Sequence, residues 1–86
     1  MNVREYVAKV HRCDCVVCWF KLGARTPMQE GHHVIPSDDW SMVPLCRLHH
    51  QGPTGVHGLR RRGFESFWKV NDLWLLARTA ELVAKL

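Results

Sequence analysis

The sequence predicts a small α+β domain stabilised by a bound metal ion, and three observations support this. At 86 residues the chain suffices for one domain that buries roughly 60 to 65% of its unfolded surface, which leaves a marginal core. Hydrophobic residues make up 47% and charged residues 23%, as in an ordinary folded protein. Two short cysteine motifs lie among segments of helical and extended pattern. We therefore expect a folded domain whose core needs a stabilising constraint such as a metal ion.

The N-terminal residues have the pattern of a short amphipathic helix. Their apolar members recur at spacings of three and four, at Val3, Tyr6, Val7 and Val10. Such spacing places side chains on one face of a helix. The following segment, residues 11–27, contains three of the four cysteines and ends in a loop marked by Gly23 and Pro27. We interpret it as a cysteine-bearing knuckle.

A strand, a turn, a second strand and a helix are predicted next. The first strand covers residues 28–36 and ends in a turn, and a second extended piece covers residues 42–44. A helix then starts near Leu45. Gly52 and Pro53 break that helix within about two turns, because proline cannot continue an α-helix.

The C-terminal part is predicted to be helical after a loop of sequence GPTGVHG. Helical pattern resumes at Gly63, and a last helix follows a cap at Asn71 or Asp72. Its apolar stripe, which we interpret as core rather than a partner-binding face, is Leu73, Leu76, Ala77, Ala80, Val83 and Ala84. Glu81 and Lys85 form a favourable pair one helical turn apart.

Two cysteine motifs predict a structural metal site. Cys15 and Cys18 form C-x-x-C, and Cys46 and His49 form C-x-x-H. Together they supply the closed set of sulfur and imidazole ligands that structural zinc prefers. The alternatives are a chance C-x-x-C and a buried free thiol at Cys46. Cys13 could replace Cys15, but the two-residue spacing of Cys15 from Cys18 is the commoner zinc knuckle, which leaves Cys13 as a buried or spare thiol. His50 could also compete with His49.

The N-terminus has no features of a secretory signal. Residues 1–10 include Arg4, Glu5 and Lys9 and no apolar stretch, and no segment is apolar enough to be a membrane span. The expected location is the cytoplasm. Because cysteines stay reduced there, we expect thiolate ligands rather than disulfides.

Five of the six histidines are clustered in the middle of the chain. They are His32, His33, His49, His50 and His57. On a strand His32 and His33 point to opposite faces, so one can bind a metal ion while the other stays free. A hydrolytic site needs this separation, because a Lewis acid acts on the phosphate and an unligated base acts on water. His11 is interpreted as a surface residue.

The charge of the chain suits a polyanionic partner. The formal net charge is +4, the calculated pI is about 9.2, and residues 60–62 are all arginine. Such a basic run is typical of nucleic-acid binding, although it can equally be a solvated face that keeps a protein soluble. The four tryptophans could stack on bases, but core packing is the favoured interpretation of Trp19, Trp40, Trp68 and Trp74.

The runs GHHVIP, PLCRLHH and GVHG together resemble the HNH (ββα-metal) endonucleases. More narrowly, they are similar to the short phage-encoded subgroup that includes the recombination-enhancement nucleases. The likeness covers about residues 13–60. It implies a ββα-metal core, which with the structural zinc knuckle covers about 11–60. The N-terminal helix and the C-terminal helical segment over about 63–86, both predicted from residue spacing, would flank this core. The likeness also implies DNA as substrate, a bacterial or phage-infected cytoplasm and a recombination protein as a possible partner.

The resemblance assigns roles to individual residues. It makes His33 the general base and His32, His50 and His57 the ligands of a catalytic Mg²⁺, Mn²⁺, Ni²⁺ or Zn²⁺ ion. The DNA phosphates would contact basic residues, namely Arg60, Arg61, Arg62 and Lys69. Ser41 stands where such motifs usually have asparagine or histidine, a position that links the base strand to the loop.

Other functions remain open at this point. A zinc-dependent nucleic-acid-binding module without catalysis would use the same histidines for a second structural ion or for none. An interaction protein would use the C-terminal helix. The adjacent pair His32 and His33 favours the nuclease, because a purely structural site does not need an unligated histidine beside a ligand.

Overall fold

Five α-helices and one two-stranded antiparallel sheet form the fold in the computed structural model, which describes residues 1–86. In chain order the elements are α1 (Val3–Val10), α2 (Val16–Leu22), β1 (Glu30–His33), β2 (Met42–Leu45), α3 (Arg47–His50), α4 (Val56–Trp68) and α5 (Asp72–Ala84). A one-turn 3₁₀ helix, Asp39–Ser41, precedes β2. This is the small α+β architecture that the sequence predicts. None of the helices has the length and apolar character needed to cross a bilayer.

The sheet joins β1 to β2 and sets the position of the histidine pair. His32 lies opposite Val43, and His33 lies opposite Met42. All four residues of β2 are buried, whereas β1 is half-buried along its length. β1 is shorter than the predicted strand over 28–36, because the chain turns away from the sheet after His33.

The main apolar core lies between α2, β2, α4 and α5. Its largest buried side chains are Leu45, Phe64 and Leu75, each at most 2% exposed. Burying one such side chain contributes about 1.5 to 3 kcal/mol. The main core also includes the sulfur atoms of Cys15, Cys18 and Cys46. The metal knuckle and the hydrophobic core are therefore one structure.

A second, smaller cluster attaches α1 to α5 and the sheet. It consists of Tyr6, Val10, Cys13, Met42 and Val83. The Tyr6 hydroxyl donates a hydrogen bond of 3.1 Å to the Met42 carbonyl. α1 thus forms where the sequence predicts it, with Asn2 as its N-cap, although Val3 at its start is exposed.

Helix α2 lies inside the segment that the sequence presents only as a knuckle. It buries Val16, Val17 and Cys18 and ends at Gly23, whose φ of 63° closes the helix in the left-handed conformation. Glycine adopts this conformation without steric cost. The loop signal at Gly23 is therefore a helix C-cap.

The region around α3 and α4 is partly as predicted. α3 has Cys46 as its N-cap and ends at His50, ahead of Gly52 and Pro53. The predicted loop GPTGVHG is shorter than expected, because α4 begins at Val56 and includes His57 in its first turn. Arg60, with φ of 64° and ψ of 166°, interrupts the helix after this turn.

Helix α5 begins as predicted but buries a different face. The Asn71 side chain accepts a hydrogen bond of 2.7 Å from the Trp74 amide. The buried residues are Leu75, Thr79 and Val83. The predicted stripe is wrong except at Val83 and the half-buried Leu76, since its other members are exposed, namely Leu73, Ala77, Ala80 and Ala84. Thr79 tolerates burial because its hydroxyl donates 2.8 Å to the Leu75 carbonyl.

The predictions for the tryptophans are confirmed in part, and those for His11 and the Glu81–Lys85 pair are confirmed. Trp68 and Trp74 pack against the main core, whereas Trp19 and Trp40 are 36% and 49% exposed. The core interpretation thus applies only to the first two tryptophans. His11 is exposed, and Lys85 pairs with Glu81 at 3.6 Å, both as expected.

Candidate metal centres

Three cysteines and one histidine converge in the core to form the first candidate centre. Their ligand atoms, from Cys15, Cys18, Cys46 and His49, lie within 4.8 Å of one another. His49 Nδ1 is 3.3 to 3.6 Å from the three sulfur atoms, and Cys18 Sγ is 3.8 Å from Cys46 Sγ. Ligands about 2.0 to 2.3 Å from a tetrahedral zinc ion are separated by about 3.5 to 3.8 Å. The cluster can therefore bind a structural metal ion such as zinc.

Both halves of the Cys3His cluster are built in the same way. Cys15 is the N-cap of α2, and Cys18 follows three residues later; Cys46 is the N-cap of α3, and His49 follows three residues later. Residues at this spacing lie on one side of a helical turn. The His49 ring packs edge-on against Trp68, with centroids 4.9 Å apart. Local helix geometry thus directs both ligands of each pair toward the centre of the Cys3His cluster.

The two residues that could compete for the Cys3His cluster lie elsewhere. Cys13 is buried in the second apolar cluster, where its thiol donates 3.3 Å to the Lys9 carbonyl. His50 points to another group of histidines, described below. The structure thereby separates the alternatives that the sequence left open.

Burial favours the neutral thiol form in the Cys3His cluster when no cation is bound. It raises the pKa of Cys15 to about 12, and it also raises the pKa of Cys18. Burial lowers the pKa of His49, which keeps the imidazole neutral. Buried thiols of this kind ionise near neutral pH when a bound metal ion replaces their protons. The donor set therefore matches zinc in both geometry and charge.

Three further histidines form the second candidate centre. The ring nitrogens of His32, His50 and His57 lie within 4.8 Å of one another. His50 Nε2 is 3.3 Å from His32 Nδ1 and 3.1 Å from His57 Nε2. Two nitrogen ligands about 2.1 Å from one ion are separated by about 3.0 to 3.4 Å. The three rings can therefore hold one metal ion.

Each ring of the three-histidine group comes from a different element. His32 lies on β1, His50 is the last residue of α3, and His57 lies in the first turn of α4. Close backbone packing fixes that turn, because a Cβ atom at Gly58 would overlap the carbonyl of Gly52. The glycines of the GVHG run thus let α4 approach α3.

A carboxylate orients the central histidine of this group. Glu30 Oε1 lies 2.7 Å from His50 Nδ1. An ionised carboxylate only accepts hydrogen bonds, so Nδ1 of His50 carries the proton and Nε2 presents its lone pair to the other two rings. Glu30 was not among the predicted site residues. The sequence feature that could have indicated it is its spacing of two residues from His32, which places both side chains on one face of the strand.

The environment of His32 favours its neutral imidazole. Burial lowers the pKa of His32 to about 4, with additional contributions from His50, His57 and His33. A neutral ring has the free electron pair that a metal ion needs. His32 is thus available as a ligand at neutral pH.

His33 lies outside the three-histidine group. Its side chain is 34% exposed, and its Nε2 is 2.8 Å from Asp39 Oδ1. Ser41 does not contact it, since the Ser41 hydroxyl accepts from the Ile35 amide and donates to the carbonyls of Ile35 or Asp38. Ser41 therefore stabilises the turn between the strands, while Asp39 contacts the His33 ring.

A cleft of about 480 Å³ lies beside His33 and two members of the three-histidine group, His32 and His57. Its polar lining consists of three histidines, two arginines and two acidic residues, namely His32, His33, His57, Arg60, Arg61, Glu65 and Asp72. Its apolar lining consists of Val34, Val56, Phe64 and Leu75. The open side of the histidine group thus faces a cavity of ligand size.

The four predicted phosphate-binding residues are not equivalent in the structure. Arg60 and Arg61 line the cleft, and Arg61 also pairs with Asp72. Arg62 is exposed outside the cleft lining. Lys69 lies along a separate surface groove with other residues of α4 and α5. Of the two arginines that line the cleft, Arg60 is thus the one without an acidic partner.

Comparison with known proteins does not identify a relative: no protein-family model, no curated protein and no solved structure matches this chain. The function is therefore argued from the geometry of the two candidate centres.

Proposed function

We propose that this protein is a metal-dependent DNA endonuclease of the HNH type. The observation that supports this most directly is the position of His33. It is a half-exposed histidine that lines the same cleft as the three-histidine group without joining it. In this proposal β1, β2 and α3 form the ββα-metal core, and the Cys3His cluster binds a structural zinc ion.

The chemistry of the three-histidine group suits a catalytic ion. Three protein ligands leave coordination positions for water and substrate, which distinguishes a catalytic site from a closed structural one. Imidazole ligands favour Zn²⁺ and Ni²⁺ over Mg²⁺ and Mn²⁺. When bound, the ion would supply Lewis-acid stabilisation of negative charge on the phosphate.

His33 is the proposed general base. With Nε2 engaged by Asp39, its Nδ1 is the nitrogen that takes a proton from water. The water oxygen then forms a bond to phosphorus, and the bond between phosphorus and the 3′ oxygen breaks. The 3′ oxygen keeps the electron pair and takes a proton from solvent. General-base catalysis of this kind typically contributes about 10²- to 10⁴-fold.

Basic residues would hold the DNA across the cleft. Arg60 and Arg61 line it, whereas Arg62 is exposed outside it and Lys69 lies along a separate groove. Contacts of this kind bind phosphates with little sequence preference and weaken as salt rises. We therefore propose DNA as the substrate through its backbone.

The proposal is tested by plasmid cleavage with a panel of divalent ions. Wild-type protein is incubated with supercoiled, linear and single-stranded DNA in the presence of Mg²⁺, Mn²⁺, Ni²⁺ or Zn²⁺. His57→Ala removes one ligand of the three-histidine group, and His11→Ala is the matched control because His11 is exposed outside both centres.

We expect ion-dependent cleavage by the wild type and by His11→Ala, with a large loss in His57→Ala. A zinc-loaded, folded wild-type protein that cleaved no DNA with any ion would contradict the proposal. It would favour the non-catalytic nucleic-acid-binding module.

A further inference from the structure

Asp39 is the only side chain of the protein that makes a hydrogen bond to His33. It lies in the turn between β1 and β2, at the start of the 3₁₀ helix. We propose that Asp39 is the positioning residue of His33 and selects the ring nitrogen that faces the cleft. This inference rests on the proposed function, in which His33 is the base.

The turn holds Asp39 in place from both sides. Asp38 Oδ1 accepts a hydrogen bond of 3.0 Å from the Trp40 amide, and the Asp38 carbonyl accepts one of 2.9 Å from the Ser41 amide. The Ser41 hydroxyl adds contacts of 2.9 Å to the Ile35 amide and 2.7 Å to the Asp38 carbonyl. Trp40 packs on Tyr6, with ring centroids 5.2 Å apart. The backbone of Asp39 is thus fixed by its neighbours.

The contact itself determines the tautomer of the ring. An ionised carboxylate only accepts hydrogen bonds, so His33 Nε2 carries the proton. The lone pair is then on Nδ1, which has no hydrogen-bond partner in the protein. An amide at position 39 could instead donate to Nε2 and stabilise the opposite tautomer. The carboxylate is therefore the feature that makes Nδ1 a base.

The contact has little value as a stabilising ion pair. The side chains of His33 and Asp39 are 34% and 54% exposed. Surface pairs of this kind contribute little to stability, because solvent screens their charges. Its main effect is therefore on the orientation of the ring, and loss of the carboxylate should change activity far more than stability.

Two variants separate positioning from general effects on the turn. Asp39→Asn removes the carboxylate beside His33. Asp38→Asn removes the same charge one residue earlier and keeps the side-chain oxygen that accepts from the Trp40 amide. The Asp38 side chain makes no hydrogen bond to His33, so this variant is the matched control.

The first measurement is the tautomer of His33 by ¹⁵N NMR of the ring, in the zinc-loaded protein at alkaline pH, where imidazole is neutral. We expect a protonated Nε2 in the wild type and in Asp38→Asn, and a mixed or reversed tautomer in Asp39→Asn. A wild-type ring protonated at Nδ1, or a ring unchanged in Asp39→Asn, would overturn the inference. This measurement needs no DNA, so it decides the role of Asp39 in setting the tautomer separately from the nuclease proposal.

The second measurement is a double-mutant cycle on DNA cleavage. We expect Asp39→Asn to lower kcat about 10- to 100-fold, part of the usual contribution of a general base, with little change in KM. In a His33→Ala background the same substitution should have no further effect. An equal loss in both backgrounds would show a structural role for Asp39 and contradict positioning. Absence of cleavage by the wild type would instead contradict the proposed function.

Discussion

Glu30 and His50 are joined by a hydrogen bond of 2.7 Å between Oε1 and Nδ1. The carboxylate lies on β1 and the ring lies at the end of α3, so the bond links the sheet to the helix that precedes the GVHG run. The contact directs His50 Nε2 toward His32 and His57, so the three rings present nitrogens that could hold one ion.

Replacing Glu30 should lower the affinity of the three-histidine group for a metal ion. Partners behind a metal ligand typically change affinity about 10- to 100-fold when they are lost. We expect Glu30→Gln to lower the affinity for Mn²⁺ or Ni²⁺ within this range, as measured by calorimetric titration of the zinc-loaded protein. Glu81→Gln on α5 is the control and should leave that affinity unchanged. Equal affinities in the two variants would exclude Glu30 as an orienting residue.

Removing one ligand of the Cys3His cluster should unfold the protein. Zinc binding in such knuckles is coupled to folding with free energies of order 10 kcal/mol, which exceeds what a core of this size supplies. We expect Cys18→Ser to lose zinc and the cooperative thermal transition. Cys13→Ser, buried outside the cluster, should keep both. Metal analysis and circular dichroism check this, and a Cys18→Ser protein with wild-type zinc content and Tm would contradict it.

Neutralising the arginine run should flatten the salt dependence of DNA binding. Each phosphate contact contributes about 0.9 to the slope of log affinity against log salt on duplex DNA. We expect the triple change Arg60→Gln, Arg61→Gln and Arg62→Gln to lower both affinity and slope in fluorescence anisotropy. The control removes the same charge from the N-terminal region through Arg4→Gln, Lys9→Gln and Arg12→Gln. Identical slopes for wild type and the first variant would make the run a solvated face.

Tyr6 should ionise at higher pH in the folded protein than in the unfolded chain. Burial, with a contribution from Cys13, raises the pKa of Tyr6 above its ordinary value of 10.0. Because the folded state holds this proton more tightly, the associated stability is present below pH 10 and is lost as pH rises through the folded pKa. Absorbance of phenolate reports it directly, since Tyr6 is the only tyrosine. A native titration that coincided with the denatured one would contradict the burial of its hydroxyl.

Much of the Cys3His cluster could be predicted because its two halves are local. Cys15 and Cys18 are three residues apart, and so are Cys46 and His49. At this spacing the two side chains lie on the same side of a helical turn. The cap at Asn71 was visible for the same reason, since a side chain that accepts from an amide three residues ahead is a local interaction. Short-range chemistry of this kind does not depend on the rest of the fold.

The remaining features depend on contacts between distant elements. Which face α5 buries is decided by packing against α1 and β2, and Thr79 can join that face only because its hydroxyl bonds to the Leu75 carbonyl. The roles of Glu30 and Asp39 depend on how the strands, the turn and α3 meet. The spacing of Glu30 from His32 places both residues on one face of the strand, but only the fold shows that the Glu30 carboxylate meets His50.

A comparison of His33→Ala with His32→Ala decides whether His33 acts as a base or as a metal ligand. The two variants are measured for metal content, Tm, DNA affinity and plasmid nicking beside the wild type. We predict that His33→Ala keeps its metal ions, melting behaviour and DNA affinity but loses about 10²- to 10⁴-fold in nicking rate. His32→Ala should also bind the catalytic ion more weakly. Full nicking activity in pure His33→Ala would contradict the account.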